Sequence, residues 1–214
     1  TGASQPTLGR ILRDFEERDW VRATEQGYTA TATGRLVASG LTELSESLAA
    51  ELHLRGVSEW LPTDSLGFDL GRLGEATITT PTQTRPSAPI SSITRLIEAA
   101  HRVRIFSHAF NEQTLAAVVE WVADGGQFEG VFSAAAIDAV AHETGLRGQL
   151  QQLQAADRAT IRVIEDAVPL AVTVADETVS LLLRDDDGRL QAAIDTDDPE
   201  VEVWATDRHG RYWE

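Results

Sequence analysis

The sequence contains no cysteine and no methionine, and every one of its 18 Lys-or-Arg positions is arginine, so lysine is missing as well. Without cysteine there are no disulfides, no thiolate metal centres and no thiol redox sensing. Aromatic residues make up 6% of the chain. No apolar run approaches the roughly 20 residues of a membrane-spanning helix, and no charged-then-apolar leader is present. A soluble cytoplasmic protein with no membrane partner is expected. The missing lysine accompanies an acidic excess of 34 Asp and Glu against 18 Arg, a net charge of -16. Salt at about 1 M screens charge within roughly 3 Å, and there such a surface keeps a protein hydrated. A halophilic source is the simplest reading.

At 214 residues the chain exceeds one average domain, which favours two modest domains or one large one. Its overall acidity argues against nucleic acid, whose phosphates attract cations. If the acidity is an adaptation to solvent, local distribution is the better guide. Residues 1–22 balance Arg10, Arg13, Arg18 and Arg22 against Asp14, Glu16, Glu17 and Asp19, whereas residues 160–214 carry five arginines and fourteen acids. The N-terminal end is the least repelled by a polyanion.

Ser4 can cap a helix and Pro6 suits its first turn, after which Leu8, Ile11, Leu12 and Phe15 repeat at three-and-four spacing as one buried stripe. The opposite side carries Arg10 and Arg13. Such a helix suits a major groove, because Gln5, Arg10 and Arg13 offer donor pairs to base edges while Ser4 and Thr7 bind phosphate. Trp20–Thr24, a turn at 25–27, and Tyr28–Thr31 read as a β-hairpin. Helix then hairpin is the order of a winged helix, with Arg22, Gln26 and Tyr28 on the wing touching phosphate or minor groove. An ordinary amphipathic helix plus hairpin is the alternative. The chain opens Thr1-Gly2-Ala3 with no methionine, so the earlier helices of the winged unit are expected upstream.

Thr33 can cap a long helix ending near Gly56, in which Leu36, Leu41, Leu44, Leu48 and Leu52 recur. These leucines either pair with a second subunit or pack on the following domain. The stretch from Pro62 to Pro89 reads as linker plus one short strand at 76–79. Beyond it come a helix from Ile93, a strand at 103–107, a helix from Thr114 and a strand at 128–133, a βαβ unit. One helix from Ala134 to Gln154, strands at 160–164, 170–174, 178–183 and 190–194, and a terminal helix opened by Asp198-Pro199 complete the reading. The expected fold class is α/β (α+β). Residues 1–33 form a truncated winged helix-turn-helix, 34–62 a linker or dimerisation helix, and 63–214 a mixed-sheet effector-sensing domain.

The Thr1–Val21 segment, the strand at Val103–His108, Pro169–Val174, the Asp187-Gly188 hairpin and the helix start at Asp198-Pro199-Glu200 together resemble the archaeal winged-helix regulators of the FilR type. Their output domain is akin to that of the TrmB regulators and phospholipase D-like in ancestry. The resemblance implies a homodimeric transcription factor that binds double-stranded promoter DNA and senses a small effector, common among halophilic archaea. It implies no cofactor. A non-DNA ligand-binding or protein-interaction module is the alternative.

Phospholipase D-like hydrolysis is the enzymatic rival, and it needs His-x-Lys with an acid downstream. Here His108-Ala109-Phe110 puts Phe110 at the lysine position and Leu115 at the acidic one, so an enzyme is not expected. No Gly-x-Ser-x-Gly elbow surrounds Ser107. His101, His108, His142 and His209 lack the i, i+4 spacing of a helical metal site, and Asp185-Asp186-Asp187 reads as a solvated turn. Ser107, His108, Asn111 and Ser133 stand at strand ends of the βαβ unit, where a small polar effector can be hydrogen-bonded. Equally, Ser107 and Ser133 can cap the helices that follow.

Overall fold

A computed structural model describes residues 5–141 and 143–214. Two compact units divide the chain, residues 1–52 and 53–214.

In the first unit, helix α1 (Gln5–Glu17) leads to strands β1 (Val21–Thr24) and β2 (Gly27–Ala30), and then to helix α2 (Ala32–Leu54), which runs into the second unit. Helix α1 ends in a left-handed residue, Asp19 at φ 57°, with Trp20 N–H donating to the Phe15 carbonyl at 2.9 Å. That pattern satisfies the last helical carbonyls and turns the chain sharply into the hairpin. Strands β1 and β2 pair antiparallel with Thr24 opposite Gly27, and Gly27, at φ 127°, takes a conformation open mainly to glycine. Helix α2 is capped by Thr31, whose hydroxyl accepts from Gly34 N–H at 3.0 Å, and not by Thr33. Thr31 wins because its N–H is already held by the Trp20 carbonyl at 2.9 Å, which places its side chain over the first turn. The helix ends at Leu54, short of the expected Gly56.

The α1 stripe expected to be buried is not. Leu8 is 50% and Phe15 37% exposed, with Ile11 and Leu12 half-buried. Little apolar surface exists within this unit to cover them: Phe15 meets Trp20, ring centroids 5.5 Å apart, and from 6 to 49 no residue is buried.

The second unit is built on a seven-stranded sheet of order β3-β9-β8-β7-β4-β5-β6. Its strands are β3 (Thr77–Thr79), β4 (Arg102–Ser107), β5 (Gln127–Ser133), β6 (Ala159–Ile164), β7 (Ala171–Ala175), β8 (Thr178–Arg184) and β9 (Leu190–Thr196). Strands β4, β5 and β6 are parallel, while β7, β8, β9 and β3 continue antiparallel from β4. Central strands β7 and β8 are covered on both faces, so Ala171–Ala175 is buried throughout and the sequence reads as a continuous apolar run.

One face packs under helices α3 (Ala88–Ala99), α4 (Glu112–Ala123), α5 (Ala134–Ala141) and α6 (Thr144–Ala155), through Ile93, Ile97, Val118, Trp121 and Leu153. The other packs Leu73, Phe106, Leu181, Leu183 and Ile194 under α7 (Pro199–Trp213). The Asp198 side chain caps α7 by accepting from Glu200 and Val201 N–H at 2.9 and 3.2 Å, and Pro199 fits its first turn.

Two expectations change here. The single helix over 134–154 is two helices, because Glu143 adopts an extended backbone and α6 restarts to bury Leu146, Leu150 and Leu153. Helix α3 starts at Ala88, five residues before Ile93, with Pro89 in its first turn. The Gly- and Pro-rich stretch before it is folded into the unit, since Leu61, Leu73 and Ala76 are buried and β3 forms an edge of the sheet against β9.

Candidate functional site

On α1, three-residue spacing sets Arg10 and Arg13 on one side, and both are exposed, as is Thr7. Arg10 lies 4.0 Å from Asp14 with its side chain 71% exposed, and Arg13 Nε turns back to the Gly9 carbonyl at 3.3 Å. Exposed contacts of this kind contribute at most about 1 kcal/mol, so both guanidinium groups can be re-aimed at little cost. Gln5 opens α1, and Ser4 lies outside the described residues. In the hairpin Arg22 pairs with Thr29 and Ala23 with Tyr28. Side chains alternate across a strand, so Arg22 and Tyr28 face opposite sides of the ribbon. Both are exposed, and Gln26 stands exposed in the turn. Thus α1 brings Thr7, Arg10 and Arg13 together, while the wing residues divide between two faces.

At the strand ends of the second unit, three of the four polar residues are engaged locally. Ser107 Oγ donates to the Ala109 carbonyl at 2.7 Å and accepts Ala109 N–H at 3.1 Å. Asn111 caps α4 by accepting Thr114 N–H at 3.0 Å, and Ser133 Oγ accepts Ala136 N–H at 3.3 Å at the start of α5. His108 differs. Its imidazole is hydrogen-bonded to the Val168 backbone, and its Nδ1 is buried without a partner. Burial, and then the positive charge of Arg184, hold its pKa below the ordinary 6.5 against the Val168 bond, which favours the charged form.

Arg184, at the end of β8, carries no motif and went unread in the sequence. It and Leu182 line two cavities. The smaller, about 50 Å³, is mainly apolar and includes Ser107, Asn111, Phe110, Leu115 and Phe132. The larger, about 310 Å³, is lined by His108, Glu59, Trp60, Pro169, Asp185 and Asp186. Ser133 lines neither of them. Phe110 stacks on Phe132 with centroids 4.3 Å apart and Leu115 is 5% exposed, so packing occupies the positions where phospholipase D chemistry would need a lysine and an acid. The Asp185–Asp187 stretch is a hairpin turn in which Asp185 accepts Arg189 N–H at 2.8 Å and Gly188 takes φ 78°. The described residues hold no cluster of three or more His, Asp or Glu arranged to bind a metal.

Among curated proteins the sequence finds no match. Of solved structures, the chain is similar to TrmBL2, an archaeal chromatin protein described with a novel mode of DNA binding, at 12% identity and TM-score 0.50, covering 99% of this chain and 82% of that one. It is similar also to Nuc, a phospholipase D family member from Salmonella typhimurium, at 12% identity and TM-score 0.51, and to NucT from Helicobacter pylori, at 13% and 0.50. Each of these two covers 64% of this chain and 94% of its own. At such identities the likeness is one of fold. Residues 1–53 match the family described as the HVO_A0261 N-terminal domain, and residues 86–214 match that of the methanogenesis regulatory protein FilR1, middle domain. Since the second match spans more than half of the chain, the protein belongs to the FilR1 middle-domain family.

Proposed function

We propose that this protein is a DNA-binding transcription regulator, acting as a homodimer in the cytoplasm, whose residues 63–214 sense a small effector. One observation carries the reading: a short helix joined directly to a two-stranded wing, with Arg10 and Arg13 in solvent on one side, stands in a chain of the FilR1 family. The DNA binding printed for TrmBL2 is in keeping with it. Thr7, Arg10 and Arg13, with Ser4 and Gln5 before them, would meet base edges and phosphates, and on the wing Gln26 with Arg22 on one face or Tyr28 on the other would touch phosphate or minor groove. No helix of the described residues is long and apolar enough to cross a membrane. A hydrolase is disfavoured because Phe110 and Leu115 replace the residues such chemistry needs.

Dimerisation is assigned to residues 34–62. Along α2, Leu41, Leu44, Leu48 and Leu52 are 64%, 56%, 55% and 63% exposed, and with Val37 they recur every three or four residues, so they share one face. Leu54, by contrast, belongs to the core of the second unit. An exposed leucine seam on a helix of 23 residues fits a second copy of the same helix.

The test is genome-wide occupancy of the protein in its native high-salt host, compared with Arg10→Ala, Arg13→Ala. Discrete promoter peaks lost in the variant support the reading, and each base-reading arginine should account for roughly 1–3 kcal/mol of specific affinity. Peaks that persist unchanged would remove the assignment to α1. For the dimer, Leu44→Glu with Leu48→Glu should convert the protein to monomer by light scattering, and a dimer that survives both changes places the interface elsewhere.

A further inference from the structure

The end of β8 carries a charge that makes no ion pair among the described residues. Arg184 is half-buried, and among the described residues no carboxylate lies within ion-pair distance of it. Its Nη1 donates to the Gly188 carbonyl at 2.8 Å, while its Nε is sealed from solvent and has no acceptor. Desolvation pulls its pKa down with no carboxylate to offset it. A buried donor on a cation is costly unless an acceptor arrives. The sheet register shifts between Leu183 and Arg184, and irregularities of this kind re-aim a side chain out of the ladder.

His108 shares the 310 Å³ cavity with Arg184, and its unpartnered Nδ1 is also sealed from solvent. Two residues on different elements, each with one unused nitrogen, therefore line one cavity. The other charged groups there are Glu59, Asp185 and Asp186. Asp185 is already engaged, by Arg189 N–H at 2.8 Å and by Gln191 Nε2 at 2.5 Å. Beside Arg184 the 50 Å³ cavity opens between Phe110, Leu115, Val118 and Phe132.

We propose that Arg184 and His108 bind the single oxyanion head, a carboxylate or a monophosphate, of a small molecule whose short apolar part enters the cavity beside Phe110 and Phe132. The acidic rim of Glu59 and Asp186 repels polyanions, so nucleic acids and polyphosphates are excluded. The guanidinium supplies Nε–H to one oxygen as a charge-assisted bond, and protonated Nδ1 of His108 supplies a second. Because the anion offsets the charge of Arg184, binding draws a proton onto His108 and tightens as pH falls. The proposal rests on the effector-sensing reading of residues 63–214 and gives that effector a chemical class.

The experiment titrates the whole protein with sodium acetate and, separately, with inorganic phosphate, following the His108 ring nitrogens by NMR. Saturable shifts with either probe are expected, and the probe that saturates first assigns carboxylate or phosphate. Arg184→Gln should weaken binding at least about tenfold, with Arg184→Lys recovering part of it because the charge returns. If Arg184→Gln fails to fold, His108→Gln gives a second reading with acetate, whose charge is constant near neutral pH: the gain in affinity on lowering the pH is lost. Neither probe saturating, or Arg184→Gln binding as tightly as the unaltered protein, overturns the site. Promoter occupancy measured alongside separates the two readings. Occupancy that is intact without anion binding removes the site alone, and anion binding that leaves occupancy unmoved removes its role as effector site.

Discussion

The two units spend their apolar residues in opposite ways. Between 53 and 214, the central strands of the sheet are sealed on both faces, and Leu181, Leu183, Ile93 and Ile97 have no exposure at all. Between 6 and 49 no residue is buried, although leucines are frequent there. The second unit has the core of an independently stable domain, whereas the first presents a pattern whose apolar side chains await another surface. The same amphipathic periodicity is therefore buried in one region and exposed in the other.

The largest effect that would break this contrast comes from the buried sheet. Leu181→Ala should cost about 2–5 kcal/mol in denaturant unfolding, since the sealed site closes only in part around the lost methyl groups. A loss below about 1 kcal/mol would mean that the sheet is packed no better than the first unit. Next comes Gly34, where an added Cβ would lie 1.8 Å from the Trp20 carbonyl oxygen. Gly34→Ala should cost about 1–3 kcal/mol, read as faster amide exchange in β1, β2 and the start of α2, with the amides of the large sheet unchanged.

A gentler probe is pH. Burial first, and then Arg104, hold the pKa of His209 below the ordinary 6.5, against a hydrogen bond to the Glu129 backbone and the Glu129 charge. The unfolded chain therefore binds more protons than the folded one in the window below 6.5. His209 favours the fold fully above that value, and the advantage is lost as pH falls through the folded pKa, at no more than about 1.4 kcal/mol per pH unit. His209→Phe should flatten the acid side of the thermal-midpoint profile. An unchanged slope would place the acid sensitivity elsewhere. Smallest of all, Leu36 is 74% exposed and lies off the α2 seam, so Leu36→Gln should change stability by about 0.5 kcal/mol or less and leave oligomeric state alone.

Much of this architecture was legible in the sequence, for reasons that also mark where legibility stops. Strands β4, β5, β7 and β8 announce themselves as short apolar runs bounded by turn residues, and Asp198-Pro199 declares a helix start. Between Ala134 and Gln154 the break does leave a local mark, since Thr144, Gly145 and Gly148 are poor helix formers, but the apolar periodicity on either side reads through it. The stripe Leu8, Ile11, Leu12 and Phe15 identifies a helix face correctly, but periodicity cannot say what covers it. Thr31 and Thr33 are equally good caps on paper, and only the hydrogen bond from Thr31 to Trp20 decides between them. At the strand ends, His108 was readable from its place after β4. Arg184 was not, because an arginine closing an apolar strand reads as an ordinary solvated end, and its lack of a counter-ion exists only in three dimensions.

The pairing of β3 with β9 has a consequence for how the chain is made. Strand β3 leaves the ribosome early, while its partner, and the helix α7 that covers one face, come near the end of the second unit. At translation speeds of roughly 5–20 residues per second, the half-built sheet waits several seconds with its inner strands uncovered. Long-range closure of this kind is slow to nucleate, so the nascent second unit needs shielding from its neighbours.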